Sequence, residues 1–236
     1  MQGSEFSLKT LREYKIKIYC GQGDKSDEVG SGKFGKVIPF KLHGFPTGSV
    51  SLVFKTENKT DSDTFISLFK NPPENYQQLY PLKGGFLQAP LRAKLAFDLA
   101  NILKLSDRIP CMEIGLNNHQ EYGTLMVKVK GVSADRYLRN LQVLGYIGKS
   151  FDIDHASLKT LLKLELIDES VYSEIILLDY LWGRGDRTKL ANVMVVPLEA
   201  NIGKVHIQLI DMDLCFPAGN DSLNSLYIEC DYYRDW

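Results

Sequence analysis

Residues 181–196 read LWGRGDRTKLANVMVV, and residues 206–217 read HIQLIDMDLCFP. The first stretch sets an Asp-Arg pair after two glycines, Gly183 and Gly185, with Asn192 six residues beyond Asp186. The second ends an apolar strand on Asp-x-Asp. Two readings compete: ordinary turns, where acids commonly terminate strands, and a site for a metal ion that carries phosphates. A carboxylate closing an apolar strand face is costly unless it is paired or metal-bound. By period two, Val205, Ile207 and Leu209 share one face, which Asp211 and Asp213 are expected to continue. Gly183 and Gly185 would permit a tight turn after a helix ending at Trp182, pointing Asp186 toward the same volume as Asn192 and Asp211. Those oxygens make a hard-ligand set suited to magnesium.

The rest of the chain is ordinary in composition. Its 236 residues are 44% hydrophobic and 24% charged, which suits one domain, or two closely associated lobes, that folds without disulfides. A net charge of −1 gives no global pull toward nucleic acid or a membrane surface. Cys20, Cys111, Cys215 and Cys230 lie far apart, without CxxC or histidine at ligand spacing. Reduced thiols in a cytosol-like compartment are therefore expected rather than a zinc site. No apolar run of about 18 residues occurs, so no integral membrane association is expected. No signal-peptide pattern opens the chain. Residues 1–6, MQGSEF, read as an expression scar.

Patterning divides the chain near residue 130. Residues 14–19, YKIKIY, alternate as a strand; GKVIPF and SVSLVF read as a hairpin punctuated by Gly44, Pro46 and Gly48. TENKTDSD and NPPEN read as loops. PLRAKLAFDLANILKL reads as a helix with Pro90 at its start and an apolar stripe of Leu95, Leu99, Ile102 and Leu103. RIPCMEI and YGTLMVKV follow as strands. Beyond Gly131 helices dominate: HASLKTLLKLEL with Ser157 as N-cap, then ESVYSEIILLDYLW ending at Gly183. NVMVV and KVHIQLI close the pattern as two strands. The expected fold is α+β, with an antiparallel sheet lobe carrying one helix (14–130) and a small helical lobe (131–236).

GSGKFGKV, residues 30–37, lies between predicted strands rather than before a helix, which argues against a dinucleotide-binding turn. Gly30, Gly32 and Gly35 would let backbone pass close over phosphates and offer them N–H donors. With Lys33, Phe34 and Val37 the stretch matches the Gly-rich loop of protein kinases; a plain glycine-rich hairpin is the competing reading. Lys55 ends the apolar strand SLVF. Such a lysine either reaches solvent from a strand end or, as in kinases, reaches nucleotide phosphates.

In order along residues 29–217, these segments resemble the phosphatidylinositol 3/4-kinase-like group. The likeness is greatest to the type II phosphatidylinositol 4-kinases, through LLDYLWGRGDRTKLANVMV, IQLIDMDLCFP, VFKTENK and LAFDLANILKLSDRIPCMEI…YGTLMVKVKG. The resemblance implies ATP and magnesium as cofactors. Gly30, Gly32 and Gly35 would cover the phosphates and Lys55 would pair with them. Met126, Val127, Lys128 and Val129 would line the adenine hinge. Asp186 would orient or deprotonate the attacking hydroxyl, and Lys189 would contact the transferring phosphate. Asn192 and Asp211 would hold magnesium. If they share one triphosphate, Lys55 and Asp211 must lie within about 10 Å of each other.

Three departures accompany the resemblance. The Asp186–Asn192 spacing of six is one longer than in that family. The helix near residues 91–103 has no glutamate to partner Lys55; Ala93 falls near the expected place, leaving Glu74 or Gln88 as substitutes. From Asp211 to Trp236 six acids (Asp211, Asp213, Asp221, Glu229, Asp231, Asp235) face Arg234 alone, which would repel an anionic inositol headgroup. The expected function is thus γ-phosphoryl transfer to a protein Ser, Thr or Tyr hydroxyl. A phosphoinositide is the runner-up acceptor. AMP transfer and a nucleotide-binding pseudokinase stand behind it. The short region after CFP resembles minimal kinases among secreted bacterial effectors. That implies a cytoplasmic protein, or one delivered into a host cell where a host activator is a further partner. No nucleic-acid partner is expected.

Overall fold

The computed structural model describes residues 30–32, 35–40, 51–60, 80–117, 119–183, 190–197 and 204–217. The stretch expected as a strand at 14–19 and the turn NPPEN lie outside them.

The GSG and GKVIPF segments form β1 (Gly30–Gly32) and β2 (Gly35–Phe40), paired antiparallel with Gly32 opposite Gly35. β2 pairs in turn with β3 (Leu52–Thr56), as the hairpin reading expects, while the connection with Gly44, Pro46 and Gly48 lies outside the described residues. β4 (Met112–Leu116) and β5 (Tyr122–Val127) complete a five-stranded antiparallel sheet in the order β1-β2-β3-β5-β4. Gly35 sits so close to β3 that an added Cβ would lie 1.7 Å from the Thr56 carbonyl oxygen. Close strand packing alone therefore demands glycine here.

Register assigns the two faces. Val37, Lys55 and Thr124 stand in one cross-strand row, and Pro39, Val53, Met126 and Met112 form the next row of the same face. Ile38, Phe54 and Leu125 alternate to the opposite face, where all three are buried.

α1 (Ala89–Ile102) lies against β4 and β5. Its buried residues include Ala89, Ala93, Ala96, Phe97 and Ala100. The predicted leucine stripe is not the buried face: Leu95 is 46% exposed and Ile102 75%, and of its four residues only Leu99 packs, half-buried, against the core. The cause is steric. Alanines at i, i+4, i+7 and i+11, with Phe97 beside them, make a face that lets the helix approach the strands, and Leu91, Leu95 and Ile102 are turned outward. Ala93, Ala96, Phe97 and Ala100 share one buried cluster with Met112.

A short 3₁₀ turn, Ser106–Arg108, links α1 to β4 and ties the sheet to the second half of the chain. Arg108 Nε and Nη2 each lie 2.7 Å from Oε2 of Glu174. The Asp107 carbonyl accepts from Gln208 Nε2 at 3.3 Å and lies 3.1 Å from His206 Nε2.

The second half contains α2 (Ala134–Val143), α3 (Leu158–Lys163) and α4 (Glu169–Trp182). Ser157 is the N-cap of α3, in a capping box with Thr160, though the helix is shorter than its apolar run suggests. Asp168 caps α4, accepting from Val171 N–H at 3.0 Å, and Gly183 ends it in the left-handed conformation at φ 62°. A second antiparallel sheet runs β6 (Val132–Ser133), β7 (Val193–Pro197), β8 (Val205–Leu209). Val193, Val195, Val205, Ile207 and Leu209 enter the main core with Leu178 and Trp182 of α4. Among the described residues, no helix is long and apolar enough to cross a membrane.

Candidate functional site

β8 ends at Leu209, and the chain then departs from strand geometry. Asp211 has φ 62°, a left-handed conformation that aspartate tolerates better than most residues. The expectation that Asp211 and Asp213 simply continue the Val205–Leu209 face is therefore corrected. The turn at Asp211 allows two acids of one short segment to converge on a single partner.

That partner is Lys55. Its Nζ bonds Oδ1 of Asp211 and lies 2.7 Å from Oδ2 of Asp213. The lysine side chain is 16% exposed, Asp213 7% and Asp211 41%. Burial works against the ammonium charge, but Asp213 and Asp211 outweigh it and the lysine pKa rises. Lys55 is thus a held cation pointing from the five-stranded sheet toward the end of β8. Its face also carries Val37, Val53 and Met126.

Asn192 ends a 3₁₀ turn, Leu190–Asn192, immediately before β7. Its carbonyl accepts from Ile210 N–H at 3.1 Å, so its backbone runs beside that of Asp211 at one end of the β7–β8 pair. Val127 N–H donates to Cys111 O at 3.0 Å, and Lys128 N–H donates to Ser51 O at 2.8 Å. Those two amides of the predicted hinge are committed to the sheet. Met126 stands opposite Val53 on the Lys55 face, whereas Val127, opposite Leu52, belongs to the other. Gly30, Gly32 and Gly35 lie on the β1–β2 pair, and Val129 follows β5. Lys33, Phe34, Asp186 and Lys189 lie outside the described residues, as does Glu74, one suggested partner of Lys55. Gln88, the other, is the N-cap of α1.

Three residues escaped the sequence reading of the site. Asp213 was visible as the second acid of Asp-x-Asp, but the choice of Asp211 alone overlooked that both can reach one lysine. Glu57 accepts the Ala89 N–H at 3.0 Å, binding the N-terminus of α1 two residues beyond Lys55. Burial raises its pKa, while the backbone N–H groups of Ala89, Gln88 and Leu87 work the other way. Arg92 Nη1 reaches the carbonyls of Cys215 at 2.8 Å and Phe216 at 2.5 Å. Neither Glu57 nor Arg92 carries a sequence signal for these bonds.

Among the described residues, no three His, Cys, Asp or Glu side chains converge on a metal-sized site. Asp211 and Asp213 do form a two-carboxylate set, and Asn192 neighbours it through the backbone. Such hard oxygen donors fit a small divalent cation such as magnesium, which commonly takes one or two carboxylates and completes its shell with water and phosphate.

The fold these elements make is kinase-like. It is similar to the crystal structure of a Helicobacter pylori proinflammatory kinase, CtkA, with a TM-score of 0.52 and 12% identity, over 85% of this chain and 61% of that one. The chain thus spans less than two thirds of that kinase's length. No family model and no curated protein sequence matches it.

Proposed function

We propose that this chain is a phosphotransferase of two-lobed kinase form that uses ATP and magnesium to move a γ-phosphoryl group to a hydroxyl. The carrying observation is the contact of Lys55 with Asp211 and Asp213, at the edge of the face formed by Val37, Val53 and Met126. A cation from one sheet and a carboxylate pair from the segment after β8 meet, as sharing one triphosphate would require. The separation of Lys55 and Asp211 falls far inside the roughly 10 Å that sharing one nucleotide allows.

In this reading Lys55 exchanges carboxylate for phosphate oxygens when nucleotide enters. Gly30, Gly32 and Gly35 present backbone to the phosphates, and Val53 and Met126 with Val37 offer an apolar surface to the base. Asp186 orients the acceptor hydroxyl and takes its proton, and Lys189 steadies the transferring group. Asn192 and Asp211, joined by Asp213, are the residues that would hold magnesium. Bound with nucleotide, magnesium neutralises phosphate charge.

The preferred acceptor is a protein hydroxyl, because six acids against Arg234 over residues 211–236 disfavour an anionic headgroup. A second reading, a nucleotide-binding module without turnover, draws on two observations. α1 carries no glutamate, and Lys55 is held by both acids of the Asp-x-Asp segment.

The test is label transfer from γ- and, in parallel, α-labelled ATP with magnesium, offering a cell lysate and phosphoinositide vesicles. Wild type, Asp186→Ala and Asp211→Ala are compared. Transfer from the γ position, lost in both variants, supports the proposal, and the labelled acceptor distinguishes protein from lipid. Transfer from the α position means AMP transfer. Nucleotide binding without transfer favours the second reading.

A further inference from the structure

Kinases commonly hold their phosphate-binding lysine with a glutamate from the helix packed on the sheet. In this chain α1, APLRAKLAFDLANI, contains no glutamate, and Lys55 bonds the Asp-x-Asp segment instead. The structure points to a different connection.

Arg92 lies on the first turn of α1, half-buried. Its Nε donates to Leu87 O at 3.0 Å, and Nη1 donates to Cys215 O at 2.8 Å and Phe216 O at 2.5 Å. The guanidinium also stacks over the Tyr80 ring, 5.4 Å from its centroid, and the Tyr80 hydroxyl donates to Leu214 O at 3.2 Å. Three consecutive carbonyls, Leu214 to Phe216, are therefore gripped from one side. From the other side, Trp182 O accepts the Phe216 N–H at 2.6 Å. Charged donors on backbone carbonyls give shorter and stronger bonds than neutral ones. A fork that bonds Leu87 and two further carbonyls at once is arginine geometry, which a lysine ammonium cannot reproduce.

The grip is continuous with the site. Glu57 fastens the N-terminus of α1 to the strand end two residues past Lys55. The connections close a ring: Lys55 to Asp211 and Asp213, along the backbone to Cys215 and Phe216, through Arg92 to α1, and through Glu57 back to β3.

We propose that Arg92 is a positioning residue that sets Asp211 and Asp213 relative to Lys55. It performs from the backbone of the acidic segment the coupling that a helix glutamate would perform on the lysine. The inference rests on the phosphotransferase reading, because the acids it positions are the ones that reading assigns to magnesium. It follows that moving α1 moves the acids, whereas the apolar face of Val37, Val53 and Met126 belongs to the sheet and does not depend on Arg92.

The experiment measures affinity for a fluorescent ATP analogue with magnesium and with chelator, in wild type, Arg92→Leu and Arg92→Lys. Arg108→Gln serves as a control for loss of a structural arginine elsewhere, and the melting temperature of each protein is recorded. The expected result is a loss of about tenfold in magnesium-dependent affinity in Arg92→Leu. Metal-free affinity is unchanged, Arg92→Lys is intermediate, and Arg108→Gln loses stability without altering the magnesium effect. Should Arg92→Leu fail to fold, Arg92→Lys decides by the same split. Full magnesium-dependent tightening in the folded Arg92 variants overturns the inference and leaves the phosphotransferase reading standing. Equal loss with and without magnesium also overturns it, assigning Arg92 a purely structural role. A wild type whose nucleotide binding ignores magnesium, or is absent, sinks the phosphotransferase reading and the inference with it.

Discussion

Lys55 Nζ lies 2.7 Å from Asp213 Oδ2 although 158 positions separate the two residues, and the same ammonium bonds Asp211. The pair joins the five-stranded sheet to the segment after β8. Its two acids differ: Asp213 is nearly buried, whereas Asp211 opens to solvent.

Lys55→Met takes the ammonium away from both carboxylates, one of them almost buried. Removing one member of a buried pair costs several kcal/mol, but the exposure of Asp211 reduces this, so a loss of about 1–3 kcal/mol is expected. Denaturant melts would measure it. The lysine pKa is raised, so its share of stability is fully present below its ordinary value of 10.5 and is lost as pH rises through the folded-state value. The difference between wild type and Lys55→Met should accordingly stay level from pH 6 to 9, a range assigned from that raised value. A difference that changes across this range would contradict the assignment.

Asp211→Asn and Asp213→Asn should separate by burial. Asp211→Asn is expected to leave the melting temperature near wild type while γ-phosphoryl transfer falls by about 100-fold or more. Asp213→Asn should reduce both, because a nearly buried carboxylate bonded to Lys55 is exchanged for a neutral amide. Parallel melts and transfer assays distinguish the two patterns.

Gly35→Ala drives a Cβ into the Thr56 carbonyl, a backbone atom that cannot step aside. A stability loss on the order of 1–3 kcal/mol is expected, with nucleotide affinity falling as β2 is pushed from β3. Wild-type stability in this variant would show that the two strands are not so close.

The face of α1 can be tested by contrast. Ala96→Leu, at a fully buried position, should cost about 1–3 kcal/mol by overpacking. Leu95→Ala, at a position 46% exposed, should stay within about 0.5 kcal/mol of wild type. The leucine-stripe reading demands the reverse order.

Asp168→Ala removes the N-cap of α4 and should lower the melting temperature at neutral pH, while Asp168→Asn should keep most of it. The bonds from Val171 N–H and Ser170 hydroxyl hold the Asp168 carboxyl below its ordinary 3.8. A depressed pKa contributes stability above the ordinary value and loses it as pH falls through the folded-state one. The deficit of Asp168→Ala should therefore be constant at neutral pH and shrink in acid by its charge-dependent part, the part that Asp168→Asn lacks throughout. A melting series from pH 7 to pH 2 would check this partial acid loss of the cap.

The sequence by itself determined the order of most elements from the Gly-rich pair to the second sheet, α2 and β6 excepted, because strand alternation, Ser157 and Gly183 are local signals of short range. It also singled out Lys55 and Asp211 as charges closing apolar strands, leaving open whether each reaches solvent or a partner. Tertiary structure decided which partners they take. The left-handed turn at Asp211 brings Asp213 onto the same lysine, and no periodicity announces it. Close approach of helix to sheet decided the face of α1, favouring a row of alanines over a more hydrophobic row of leucines. The bonds of Arg92 and Glu57 are equally silent in sequence, because their partners are backbone groups, which every residue type supplies alike. Local patterns name the residues able to carry charge; only the packing of distant segments fixes which charges meet.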